Sequence, residues 1–307
     1  MKIYNIYAYM LIKLWTYAVY DCIIYVVCNG VQNMKNWKKG IILAASLAMA
    51  AGIMAGCGGE KKAASSEGLK PLKVATNATY VPFEFKSKDG KDYTGYEIDV
   101  VRAVAQDMNR KVEFKNVAFD GLIPALQSKE VDMTASGMTA TKERADKILF
   151  AAPFYATKLA IVTKADSDIH SVEDLLKEKE VAVQVGTTAA YYAAEKGMNT
   201  RNFDHSGDIV MELKAGGANA GILDKPAADY FVATDGKGAF RVVDVPDSKV
   251  QYFAFGFNKD NKELQQEVNA AIAKLKKDGT LNKLHEKWFN TPAPDMPSTA
   301  EEALGIK

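Results

Sequence analysis

Cysteine is nearly absent from this chain. Of 307 residues three are cysteines, Cys22, Cys28 and Cys57, and all fall in the first fifth. A disulfide framework, a zinc ribbon and an iron–sulfur centre therefore have no ligands in the body of the chain. Histidine is equally scarce: His170 beside a helix cap, His205 beside Asp204 in a loop, and His285 on the polar face of the last long helix. Each reads as solvated surface. G-x-S-x-G, H-E-x-x-H and P-loop motifs are missing, so the motif-borne hydrolases, metalloproteases and phosphate binders drop out. A formal net charge of +1 gives no reason to expect nucleic acid. With 48% apolar and 25% charged residues, wholesale disorder and collagen-like repeats are excluded. No repeat of 20–50 residues is visible.

The start of the chain is a separate matter. Met34-Lys35-Asn36-Trp37-Lys38-Lys39 is basic, and Gly40 to Met54 is apolar and small for fifteen residues. That run is short of the roughly 20 residues of a comfortable membrane span. A charged start, an apolar middle and a small-residue end at Ala55-Gly56-Cys57 describe a secretory signal. The cysteine after Ala-Gly resembles a bacterial lipoprotein signal, which implies lipidation of Cys57 as the mature N-terminus. Met54 stands where that pattern prefers leucine. Residues 60–68 (EKKAASSEG) read as a tether. Residues 1–33, with six tyrosines, are expected to be an upstream over-call, translation starting at Met34. Removing residues 1–56 leaves 34 basic and 37 acidic residues, a slightly acidic exported domain.

The body alternates strands and helices. Strands are expected at 70–77, 111–117, 131–135, 158–164, 181–185, 218–224, 241–245 and 251–258. Helices are expected at 98–108, 120–128, 188–196, 208–214, 226–233, 261–277 and 281–289, and another opens at the Ser171–Asp174 capping box. Gly216-Gly217 reads as a helix C-cap. The alternation predicts an α/β fold with parallel sheets covered by helices. The tail after Pro292 is expected to be loose.

In open α/β sheets, ligands sit beyond the carboxyl ends of strands. Five such ends carry notable chemistry: Asn77 to Phe85, Phe119-Asp120-Gly121, Ser136 to Thr141 with Arg144 beyond, Gly186-Thr187-Thr188, and Asp224-Lys225-Pro226. Arg144 can hold a carboxylate through its planar fork, or pair at the surface with Glu143 or Asp146. Asp224 can take an ammonium group, cap the following helix, or both. The helix start at Gly186-Thr187-Thr188 favours an anion, or is simply capped.

The stretches VATNATYVPFEF (74–85), GYEIDVVRAVA (95–105), FDGLIPALQSKEVDM (119–133), SGMTATKERA (136–145), AVQVGTT (182–188), ILDKPAADYF (222–231) and KKDGTLNKLHEKWF (276–289) together resemble the family 3 solute-binding proteins, the polar amino acid receptors of ABC importers. The resemblance spans residues 70 to 290. It implies a two-lobed periplasmic-binding-protein-like α/β fold with two hinge crossings and a ligand cleft between the lobes. Lobe 1 would be 69–155 plus 252–292 and lobe 2 156–251, crossing near Tyr155–Lys158 and Lys249–Phe253. It implies Arg144 for the ligand carboxylate, Asp224 for the ammonium, Tyr80 and Phe119 as rings flanking the side chain, and Ser136, Gly137, Thr139, Thr187 and Thr188 as further hydrogen-bonding groups. Phe83 and Glu84 read as structural.

Ligand choice rests on Asn77, Gln184 and Leu223. Binders of basic amino acids carry an aspartate at the position of Asn77. A glutamine-binding relative carries aspartate, lysine and histidine at these three positions, and arginine-type relatives can share the glutamine. No fixed charge then meets the ligand side chain, and a cation buried without a counter-charge is costly. The expected ligand is a neutral polar L-amino acid, glutamine first, with cystine and arginine types as alternatives. The expected protein is a monomeric, lipid-anchored extracytoplasmic receptor that hands its ligand to a permease and needs no cofactor or metal. The rivals are an enzyme on the same fold, of the cyclohexadienyl dehydratase or lytic transglycosylase kind with Glu195 or Glu212 as acid, and a sensor module, for which no signalling segment follows residue 290.

Overall fold

The computed structural model describes residues 70–306. The expected leader, Cys57 and the tether lie outside the described residues. No helix among the described residues is long and apolar enough to cross a membrane.

The chain forms two five-stranded sheets on a shared plan. The first runs in the order Val112–Asn116, Leu72–Thr76, Met133–Thr134, Gly256–Phe257, Leu149–Phe150. Its first three strands are parallel, and Gly256–Phe257 is antiparallel to both neighbours. The second runs Thr200–Phe203, Val181–Gln184, Ala220–Asp224, Leu159–Lys164, Phe240–Asp244. Again three strands are parallel, and Leu159–Lys164 runs against both neighbours. The sheets are thus mixed, where βα alternation alone predicts parallel ones. The reversed strand in each lobe arrives directly from the hinge and not from a helical crossover. Central strands such as VAVQ (181–184) are buried on both faces, as helix-covered strands must be.

Helix Tyr96–Asp107 buries Ile98, Val101, Val104 and Ala105 on one face. It starts beside Phe83 because Gly95, at φ 135°, has no side chain; a Cβ there would lie 2.0 Å from the Phe83 carbonyl oxygen. That approach lets the Glu97 N–H donate to the Phe83 carbonyl at 3.0 Å and places Glu97 next to the cleft.

Two strands join the lobes. Tyr155–Thr157 pairs antiparallel with Gln251–Phe253, Gln251 opposite Thr157. The single strand expected over 251–258 is therefore two strands in different sheets. Gly256 must approach Thr134 so closely that a Cβ would lie 2.6 Å from its hydroxyl, and the chain leaves the hinge ladder to do so.

Three further expectations are corrected. His285 is 4% exposed, not solvated. Helix Thr280–Phe289 turns Leu281, His285 and Phe289 inward at i, i+4, i+8, and His285 Nδ1 lies 2.7 Å from the Thr291 carbonyl, under Tyr155. Thr200–Phe203 is an edge strand too polar to announce itself. The tail carries helix Ala300–Leu304, capped by Thr299, and buries Ala300 in the first lobe.

Candidate functional site

All five strand ends converge between the lobes. Together they line one cavity. Every expected ligand contact lines it: Asn77, Tyr80, Phe119, Ser136, Gly137, Thr139 and Arg144 from the first lobe, and Gln184, Thr187, Thr188 and Asp224 from the second. Leu223 and Glu84 line it too.

Arg144 is 6% exposed. Thr141 caps helix Lys142–Ala145 by accepting the Arg144 N–H, which turns the guanidinium inward. Its Nη1 donates to the Thr139 carbonyl at 2.7 Å and its Nη2 to the Gly186 carbonyl of the other lobe at 2.9 Å. The guanidinium carbon stands 5.3 Å from the centre of the Phe119 ring. Among the described residues it has no ion-pair partner; Glu143 pairs with Lys147 instead. Burial lowers its pKa to about 10, which leaves it charged at neutral pH.

Asp224 ends strand Ala220–Asp224 and occupies the N-cap of helix Lys225–Ala233, yet its side chain makes no capping bond. The Tyr80 hydroxyl donates to its Oδ2 across the cleft at 2.5 Å. Among the described residues its Oδ1 is buried without a hydrogen-bond partner. The Thr157 hydroxyl stands near this carboxylate but donates to the Lys158 carbonyl. Burial pushes the Asp224 carboxyl up to about 6, against the pull of the Tyr80 and Thr157 hydroxyls and of Arg144.

Thr187 is a helix cap: its hydroxyl accepts the Ala190 N–H and donates to the Gln184 carbonyl. Thr188 and Thr139, from opposite lobes, both donate to Gln251 Oε1, at 2.7 and 3.0 Å. Gln251 lies on the hinge strand, and nothing in its sequence context singled it out.

Beneath the Ser136–Gly137 turn lies a buried acid pair. The Gly137 N–H donates to Glu97 Oε2 at 2.6 Å, and the Ser136 hydroxyl donates to Glu84 Oε1 at 3.2 Å. Gly137 at φ 52° lets the turn pass the Tyr80 ring, 2.9 Å from where a Cβ would sit. Burial raises both carboxyls, most strongly Glu84, which the neighbouring Glu97 raises further. Glu84 was read as structural; Glu97 carried no signal beyond its place in the GYEID stretch.

At the far end, Gln184 Nε2 donates across the cleft to Asn77 Oδ1 at 3.1 Å, and Asn77 Nδ2 meets His205 Nδ1 at 2.9 Å. His205, read as solvated, is half-buried and faces the first lobe. The enzyme candidates stand apart from this cavity: Glu195 is exposed, and Glu212 pairs with Arg201.

Comparison with known proteins gives the family. The chain is 34% identical over 263 residues to the arginine-binding extracellular protein ArtP of Bacillus subtilis, covering 83% of this chain and 98% of that protein. An ancestral arginine-binding protein bound to arginine superposes with a TM-score of 0.67 at 37% identity, covering 71% of this chain and 98% of the other. A structure of an ancestral arginine-binding protein bound to glutamine gives 0.68 at 36%, covering 72% and 98%. The model of the bacterial extracellular solute-binding proteins, family 3, matches residues 72–291, and the chain belongs to that family.

Proposed function

We propose that this protein is the substrate-binding component of an ABC importer for a neutral polar L-amino acid, glutamine first. The observation that carries the reading is the pairing of two buried, opposite charges on one cavity. Among the described residues Arg144 has no carboxylate partner and Asp224 Oδ1 is buried without a hydrogen bond. A free amino acid supplies the missing partner of each. Its carboxylate meets Arg144 and the N–H groups at the helix start by Thr188; its ammonium meets Asp224. No covalent step is needed, and the enzyme alternative finds no acid at Glu195 or Glu212 facing the cavity.

Glutamine is favoured because Asn77, Gln184 and Leu223 bring no fixed charge to the side-chain end. The glutamine-bound ancestral structure supports a neutral amide in such a cleft. Glutamate would bury an anion without a cation and arginine a cation without a counter-ion, so discrimination of roughly 10²-fold is expected. Competition of labelled L-glutamine by L-arginine and L-glutamate tests this; arginine competing as well as glutamine itself would replace the glutamine assignment. Residues 57–68 would tether the receptor to the outer face of the membrane through lipidated Cys57, presenting a monomer to the permease. Cys57→Ser would then leave the membrane fraction, whereas retention at precursor size would point to an uncleaved helix.

A further inference from the structure

His205 stands at the N-cap of helix Ser206–Ala215 on the second lobe, with its Nδ1 2.9 Å from Asn77 Nδ2 on the first. The surrounding bonds decide which side donates. Asn77 Nδ2 also lies 3.1 Å from the Val117 carbonyl, which only accepts. Gln184 Nε2 lies 3.0 Å from the Asp204 carbonyl, so that atom is an N–H donor too. It faces Asn77 Oδ1 at 3.1 Å, and the Thr79 hydroxyl donates to the same oxygen at 3.1 Å. The Asn77 amide therefore has one workable orientation. Turned over, it sets oxygen against the Val117 carbonyl and N–H against the N–H of Gln184. His205 Nδ1 must accept, and the ring is neutral with its proton on Nε2.

We propose that His205 is a positioning residue of the ligand cleft: as a neutral acceptor it latches Asn77 across the lobes, and its protonation releases that latch. The proposal rests on the amino acid-binding reading. Both N–H groups of Gln184 are engaged, by Asn77 and by Asp204, which leaves Oε1 as the remaining polar atom of a side chain that lines the cavity. The latch thereby presents an acceptor to the ligand side chain, which suits the donors of an amide. A protonated ring would set N–H against N–H at 2.9 Å, and the amide has no second orientation with which to answer.

The charged neighbours of His205 on its own segment are Asp204 and Asp208. On the elements packed around it, Lys115 is held by Glu130, Arg201 by Glu212, and the Tyr80 hydroxyl by Asp224. The adjoining bridge from Ser206 to Thr79 does not titrate.

His205→Asn tests the latch, because the amide oxygen can accept where Nδ1 did and carries no titration. Calorimetry with L-glutamine and with L-arginine is run on both proteins at about pH 8 and about pH 5.5, spanning the ordinary imidazole range. The ratio of wild-type to His205→Asn affinity is expected to fall about fivefold or more towards the acid end. Asp224 titrates in both proteins and cancels in the ratio. A ratio that stays flat overturns the latch. If neither amino acid binds at either pH, the amino acid reading fails. The latch is then judged, as it is if the variant does not fold, by nitrogen-15 spectra of the wild-type imidazole at about pH 8. A bare Nδ1 with a protonated Nε2 upholds it; a proton on Nδ1 overturns it.

Discussion

Tyr80 and Asp224 belong to opposite lobes, and the tyrosine hydroxyl donates to the aspartate at 2.5 Å. This bond satisfies one oxygen of a carboxylate whose other oxygen is buried and unpartnered. Asp224 lines the cavity with this carboxylate, and burial raises its pKa.

A pH limb in ligand affinity follows. Burial raises the Asp224 carboxyl to about 6. Above that pH it is charged and ready for an ammonium. Below it the ligand must displace a proton, so affinity falls by up to about tenfold per pH unit. Asp224→Asn should weaken binding and remove the limb. Tyr80→Phe keeps the ring stacked on Phe83, 5.4 Å between centres, but removes the donor and should shift the limb to higher pH. Calorimetric titrations across that range check both.

Arg144→Ala should cost roughly 2–5 kcal/mol of binding, because a desolvated carboxylate loses its partner. Arg144→Lys should recover only part. A single ammonium cannot reach the Thr139 and Gly186 carbonyls and a ligand carboxylate at once, as the fork can. An affinity within twofold of wild type for the alanine variant would remove Arg144 from the site.

The acid pair predicts a stability effect of defined sign. Both carboxyls are raised in the fold, Glu97 to about 7, so the folded protein holds protons that the unfolded chain releases. Their contribution is fully present below the ordinary carboxylate range and is lost as pH rises towards about 7 and beyond. Glu97→Gln keeps a neutral side chain at all pH values. Thermal unfolding of this variant should therefore depend less on pH between about 4.5 and 7 than that of the wild type, and an unchanged slope would contradict a raised Glu97 carboxyl.

Asn77→Asp supplies a carboxylate at the side-chain end and should move preference towards L-arginine. The same change places an oxygen where Nδ2 donated to the Val117 carbonyl at 3.1 Å. An unfolding penalty of about 1–3 kcal/mol is expected alongside the altered specificity. Competition binding and thermal unfolding separate the two effects.

Much of this was legible because the cleft is built from strand ends. Asn77, Ser136, Gln184 and Asp224 each sit at or just after a short buried strand, and strand ends are visible as apolar runs meeting polar turns. Their convergence is a matter of topology, and the ordered motifs of the family resemblance carried it. The exceptions have physical causes. Gln251 and Phe257 lie in one β-patterned run, and period-two alternation does not reveal where a chain leaves one ladder for another. Thr200–Phe203 has too little apolar character to read as a strand. His285 is polar by type and buried by its carbonyl partner and aromatic neighbours, and His205 acts through a hydrogen bond to a residue 128 positions away. Glu84 and Glu97 are held inside by the Ser136 hydroxyl and the Gly137 N–H, partners that appear only when the turn is placed above them.

The central claim is that one free L-amino acid bridges Arg144 and Asp224 in this cleft. Calorimetry of the protein with each of the twenty L-amino acids at neutral pH, repeated on Arg144→Ala with its folding checked by thermal unfolding, addresses it most directly. The account predicts one-to-one binding, strongest for L-glutamine, that is lost or weakened by at least about thirtyfold in the variant. Absence of binding by all twenty, or binding that survives the substitution undiminished, would contradict it.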